Sequence, residues 1–146
     1  SDDALKVADY NKKYNNADYI KLIKSDMFSS SECEQYKNED NRFDVIVSNP
    51  PYIPTKDIDE LSEEVRLHDP VLALDGDTDG LKFYKAITKQ SVNYLKENGY
   101  LCYEIGYNQA EDVRNIMEQC GYSGIKVIKD LAGLDRVVIG RLNNIN

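Results

Sequence analysis

One run of the sequence constrains the fold more than any other. Phe43-Asp44-Val45-Ile46-Val47-Ser48 is apolar and β-branched, and Asn49-Pro50-Pro51-Tyr52 follows it directly. β-Branched side chains favour a pleated strand. Two consecutive prolines then remove two ladder donors, so the strand stops at Ser48. The chain must therefore place a buried strand end beside a rigid, extended loop.

The flanking sequence predicts what surrounds that strand. Residues 2–16 read as a helix with Ala4, Leu5, Val7 and Ala8 on its apolar side and Asp2 and Asp3 where the helix dipole favours acids. Residues 19–23 alternate loosely and end at Ser25-Asp26, which predicts a short strand. Residues 29–42 are polar and loop-like. A helix is expected over 81–96, buried through Phe83, Tyr84, Ile87, Val92 and Leu95, with Gly99 just past its end. A strand follows over 100–105. Asn108-Gln109-Ala110-Glu111 resembles a capped helix start. Val113, Ile116, Met117 and Cys120 line that helix, and Gly121 ends it. Strands over 125–129 and 136–142 close the chain around a Gly-containing loop. The order α-β-β-α-β-α-β-β argues for an α/β sheet with helices on its faces.

Length, charge and cysteines narrow the class. A chain of 146 residues, 41% hydrophobic and 30% charged, fits one domain. No apolar run approaches the ~20 residues of a transmembrane helix. The start, Ser1-Asp2-Asp3-Ala4, has no signal-peptide pattern. It also lacks an initiator Met, so a piece of a longer protein is expected. Cys33, Cys102 and Cys120 fit no zinc spacing and no disulfide framework, which predicts reduced thiols, a cytoplasmic location and no metal site. The net charge is −8. From Asp57 to Asp79 there are nine acids and one base, Arg66, so this stretch alone carries the whole excess. A phosphate backbone would be repelled there, and no direct nucleic-acid contact is expected.

The motif Asn49-Pro50-Pro51-Tyr52 has a coherent chemical use. In open α/β sheets, ligands bind at the carboxyl ends of strands. An Asn side chain and the Pro50 carbonyl can together accept both hydrogens of a planar NH2 group. Tyr52 can stack on the flat face of that group. Such a site holds an amide or an exocyclic amine still and aims its nitrogen along one line. A plain rigid turn after a strand is the simpler alternative use of two prolines.

Asn-Pro-Pro-Tyr after a hydrophobic strand resembles motif IV of class I S-adenosylmethionine-dependent methyltransferases that modify planar nitrogens: adenine N6, guanine N2 or a glutamine side-chain amide. Further segments resemble the peptide chain release factor N5-glutamine methyltransferases: Glu64-Val65-Arg66, Pro70, Ala73-Leu74, Asp79-Gly80-Leu81 with Tyr84 and Ile87, Tyr103-Glu104-Ile105-Gly106 with Gln109, and residues 130–137. Upstream, Ser25-Asp26-Met27-Phe28 is similar to the segment that lies beside the cofactor adenine in that family. The resemblance runs from about Ala4 to Leu142.

The resemblance implies a Rossmann-like sheet with an antiparallel last strand, S-adenosylmethionine as cofactor, and bacterial class I release factors as partners. The glutamine of their Gly-Gly-Gln loop would be methylated on its amide nitrogen. By the same resemblance Asn49, Pro50, Pro51 and Tyr52 would be catalytic, and Asp26, Met27 and Asn49 would face the cofactor. The family's glycine-rich motif I and its ribose-binding acid have no counterpart here, since no two glycines stand in G-x-G spacing. Residues 1–146 are thus expected to be a partial catalytic domain lacking the first two strands and the N-terminal helical domain, inactive alone and a poor binder of cofactor. The family's strand order, 3-2-1-4-5-7-6, would then leave two open edges. Either the 19–23 strand pairs with the 43–48 strand, or two chains share an edge.

Two other functions compete: a nucleic-acid amino-methyltransferase acting on adenine N6 or guanine N2, and a non-catalytic binding module on the same scaffold. Among lesser features, Arg66 is expected to tie the acidic loop down through an acid. His68 reads as a surface residue. Glu104 lines the cofactor region or makes a structural hydrogen bond.

Overall fold

The computed structural model describes residues 1–143. Its centre is a four-stranded sheet made by β1 (Phe43–Ser48), β2 (Leu95–Glu104), β3 (Tyr122–Lys129) and β4 (Asp135–Leu142), in the order β1-β2-β4-β3. β1 and β2 are parallel, whereas β4 runs antiparallel between β2 and β3. This is the order expected for the last four strands of the Rossmann-like sheet, with its antiparallel final strand.

The helices are α1 (Asp2–Tyr14), α2 (Glu63–His68), α3 (Val71–Leu74), α4 (Lys82–Ser91) and α5 (Ala110–Gln119). Tyr84 and Ile87 of α4 and Val113 and Met117 of α5 bury their side chains with Leu101, Tyr103, Ile105, Val138 and Leu142 of the sheet. Each such apolar side chain contributes about 1.5–3 kcal/mol by leaving water. The buried hydroxyls are partnered. Thr88 Oγ1 and the Tyr103 hydroxyl lie 2.9 Å apart, and Ser91 Oγ and the Tyr122 hydroxyl 2.7 Å apart. Burial pushes the Tyr122 phenol up to about 12 and raises those of Tyr84 and Tyr103 further, so all three stay neutral.

Among the described residues, helices cover one face of the sheet only. The other carries Val45, Val47 and Tyr100, which are 49%, 75% and 45% exposed. α1 forms as expected but buries no residue. It is held locally instead, by Ser1 at its N-cap, Asp2 and Asp3 in its first turn, and the pairs Lys6–Asp3 at 2.8 Å and Lys13–Asp9 at 2.6 Å.

Two expectations are corrected. Residues 19–23 are irregular, not a strand, and do not pair with β1. A strand needs a ladder partner for its amides, and the outer edge of β1 carries none among the described residues. In this segment Leu22 and Ile23, which are adjacent, are half-buried, whereas a strand would bury alternate residues. The second correction concerns the helix over 81–96, which stops at Ser91; Leu95 already belongs to β2. Phe43 pairs with Leu95 but Val45 pairs with Tyr100, so residues 96–99 bulge out of the ladder. Gly99 sits in this bulge, not at a helix end. A Cβ there would lie 2.9 Å from the Lys96 carbonyl oxygen and 3.1 Å from that of Asp44.

Candidate active site

β1 delivers Asn49 to the carboxyl edge of the sheet, where Asn49 is exposed, Pro50 buried, and Pro51 and Tyr52 half-buried. Beyond the prolines the chain is stapled to the acidic segment. Ile53 N donates to Leu74 O at 3.0 Å, Gly76 N to Ile53 O at 2.8 Å, and Thr55 N to Asp77 O at 3.1 Å. Thr55 Oγ1 donates to Asp75 Oδ1 at 2.7 Å. The motif therefore enters from the strand and leaves through a pinned turn.

Tyr52 is enclosed by backbone. A Cβ on Gly76 would lie 2.9 Å from the Tyr52 Cα, and one on Gly106 3.4 Å from its ring. Gly80, at φ +71°, leaves no room beside the Tyr52 carbonyl. That carbonyl accepts from Gln109 Nε2 at 3.0 Å, while Gln109 Oε1 accepts from Gly106 N at 3.0 Å. Gln109 also reaches the Gly80 carbonyl at 3.4 Å. Among the described residues, no hydrogen bond uses the Asn49 carboxamide or the Pro50 carbonyl. Two acceptor oxygens are thus free at the strand end, and the third nearby carbonyl is occupied. A cavity of about 450 Å³ adjoins the motif at Tyr52 and is lined also by Asp57, Asp79, Tyr107, Asp112 and Arg136; neither Asn49 nor Pro50 lines it.

The acidic segment is organised by its neighbours. The Lys82 ammonium bonds Asp77 at 2.9 Å and, with the Thr78 amide and hydroxyl, lowers the Asp77 carboxyl to about 2. Lys85 bonds Asp79 at 2.6 Å, and Asp79 also accepts from the Leu81 amide. Both lysines come from the first turns of α4. Arg66 takes no part: it is exposed on α2 and joins no ion pair among the described residues. The expectation for Arg66 is corrected: the acids that are tied down, Asp75, Asp77 and Asp79, take the lysines of α4 and local backbone amides instead.

Asp26 and Met27 lie in a separate turn. Ser25 Oγ accepts from Ser30 N at 2.9 Å, Met27 adopts φ +51°, and the Phe28 ring stacks on Tyr94 with centroids 4.4 Å apart. Met27 packs against the core, and Asp26 is exposed. No hydrogen bond or ion pair among the described residues joins this turn to the 49–52 motif. His68 is exposed at the end of α2. Glu104 takes part through its backbone carbonyl, which accepts from the Tyr84 hydroxyl at 2.9 Å. Cys33, Cys102 and Cys120 are free thiols, and burial pushes those of Cys102 and Cys120 up, away from reactivity.

The closing loop is equally built. Asp130 Oδ1 accepts from the amides of Ala132 and Leu134, and its Oδ2 accepts from Arg136 Nη2 at 3.2 Å. Arg136 Nη1 donates to the Ile105 carbonyl at 3.3 Å, tying the loop to the strand end beside Gly106. Gln109, Gly80 and Gly106 fall in segments recognisable in the sequence, but with no task attached, and Gly76 falls in none. The spacing Gly106-x-x-Gln109 was the available signal for a side chain folding back on its own turn.

The chain is similar to known methyltransferases. The family model described as Eco57I restriction-modification methylase matches residues 2–116. A release factor glutamine methyltransferase of Fusobacterium nucleatum is 41% identical over 138 residues, covering 94% of this chain and 37% of that protein. One from Clostridium botulinum is 43% identical over 129 residues, covering 88% and 44%. The chain therefore spans less than half the length of these curated relatives. Among solved structures, the Mtq2–Trm112 complex of E. cuniculi, responsible for methylation of the eRF1 translation termination factor, aligns with a TM-score of 0.50 at 23% identity, covering 84% of this chain and 61% of that one. That likeness shows the fold. Within the described residues no helix is long and apolar enough to cross a membrane. The chain belongs to this methyltransferase family and is a relative of the release factor glutamine methyltransferases.

Proposed function

We propose that this chain is the amide-binding part of a release factor glutamine methyltransferase, acting on the glutamine of a Gly-Gly-Gln loop. The observation that carries the reading is the pair of free acceptors, the Asn49 carboxamide oxygen and the Pro50 carbonyl, at the end of β1. Each accepts one N–H of the glutamine amide, so the nitrogen is held in one orientation. Pro51 keeps the loop extended, and the Tyr52 ring packs on the amide plane. As positive charge develops on the nitrogen, the two carbonyl dipoles favour it. The surplus proton then leaves to solvent, with no side-chain base.

S-Adenosylmethionine, when bound, supplies an electrophilic methyl group. The donor set suits its reactive end: Asn49 is exposed and uncommitted, and the turn that carries Asp26 and Met27 is prearranged by Ser25 and Phe28. We assign Asp26 and Met27 to one wall of the cofactor site. Residues 1–146 then form a partial catalytic domain, and the glycine-rich strand end belongs to another part of a cytoplasmic protein. The open outer edge of β1 supports strand sharing between two copies of the isolated segment, which sedimentation reads.

The description of the matching family model favours a second reading, methylation of a nucleic-acid amine. The nine acids from Asp57 to Asp79 oppose a phosphate backbone there, and two of them, Asp57 and Asp79, line the cavity beside Tyr52. Asn49→Ala in the complete protein tests the central role. Methyl transfer should fall by about 100-fold or more, the size seen when one stabilising dipole is removed. Unchanged transfer would reject the site.

A further inference from the structure

We propose that Gln109 is a positioning residue that sets the direction of the acceptors in the 49–52 motif; the inference rests on the amide-methylation reading above. The prolines already remove most of the loop's freedom. Their rings fix φ at two positions, and Pro51 keeps Pro50 extended. What remains is the rotation at Pro51 and Tyr52. Gln109, a residue only 6% exposed, removes it by donating from its side chain to the Tyr52 carbonyl at 3.0 Å. Its other end is anchored by the Gly106 amide at 3.0 Å. One carboxamide therefore connects the β2–α5 turn to the motif.

The chemistry of the position is narrow. The side chain must accept at Gly106 and donate at Tyr52 and Gly80, which a primary amide of this length does. A carboxylate keeps the first bond but faces two carbonyl oxygens. A leucine leaves the Tyr52 carbonyl and the Gly106 amide unpaired. The glycines complete the device. Side chains at Gly80 or Gly106 would enter the space of the Gln109 carboxamide, with Cβ atoms 2.8 and 2.9 Å from its nitrogen and oxygen. With one lone pair of the Tyr52 carbonyl taken by Gln109, this oxygen competes less with Pro50 for the substrate amide.

The test uses the complete protein with S-adenosylmethionine and a protein substrate carrying the Gly-Gly-Gln loop. For Gln109→Glu and Gln109→Leu, kcat per folded molecule should fall about 100-fold with KM nearly unchanged, the size of effect a misplacement of about 1 Å produces. Gln109→Asn, which keeps the amide but shortens the reach, should fall less. A lowered Tm with unchanged kcat would make Gln109 merely structural and overturn the proposal. A second readout needs no substrate: amide exchange at Ile53 and Gly76 should quicken about tenfold or more in Gln109→Glu, since these bonds hold the released turn. Unchanged exchange overturns the proposal whatever the enzyme acts on. If the unmodified protein methylates no glutamine, the amide reading falls, and the exchange measurement still decides whether Gln109 holds the loop.

Discussion

The side chain of Gln109 donates to the backbone carbonyl of Tyr52 at 3.0 Å, joining residues 57 positions apart. This bond places the start of α5 and the end of β1 in one unit. It explains why the motif after β1 is surrounded by Gly76, Gly80 and Gly106: the backbones approach too closely for side chains.

Gly80→Ala should damage this unit. At φ +71° an alanine carries a left-handed penalty of about 1–2 kcal/mol, and its Cβ would collide with the Tyr52 carbonyl. Thermal unfolding should shift downward and methyl transfer should fall per folded molecule. Gly121→Ala is the control, since φ +88° there meets nothing within 4 Å. It should lose stability and keep activity per folded molecule. Equal activity in both variants would contradict the packing argument.

The ion pairs at α4 predict an acid-sensitive step. The Asp77 carboxyl is lowered from 3.8 to about 2, first by Lys82 and then by Thr78. Folding therefore favours its ionised form. The contribution is complete above the unfolded value, near pH 4, and is lost as pH falls towards 2. Wild type should be more stable than Asp77→Asn at pH 5 and low ionic strength, and the two Tm values should converge by about pH 2. A Tm difference that stays constant over this range would exclude the Asp77 pair as its source.

The acidic stretch from Asp57 to Asp79 borders the cavity beside Tyr52. If it steers a basic protein substrate, association of the complete protein with a release factor should slow as salt rises. The dissociation rate should change less. A flat salt response would leave the acids as a solvated surface.

Much of this architecture was legible locally. The β-branched run at 43–48 and its proline stop fixed β1, and the apolar period of Val113, Ile116, Met117 and Cys120 fixed the buried side of α5. What escaped is long-range. Residues 19–23 have strand-like composition, but a strand exists only with a partner, which no local pattern reports. Leu95 fits a helical apolar period as well as a strand, so the sequence pattern runs past the end of α4 at Ser91. Arg66 stands alone among acids in the sequence, yet it is Lys82 and Lys85 of α4 that pair with Asp77 and Asp79. The motif itself was readable, because two prolines and an asparagine carry their geometry with them. Gln109 acts through partners 57 and 29 positions away, so its role emerges only in three dimensions.

The most direct test offers the complete protein labelled S-adenosylmethionine together with a bacterial class I release factor and adenine-containing duplex DNA. The proposed function requires one methyl group on the Gly-Gly-Gln glutamine, located by mass spectrometry, lost in Asn49→Ala, with the DNA unlabelled. Label in the DNA and none on the glutamine would contradict it.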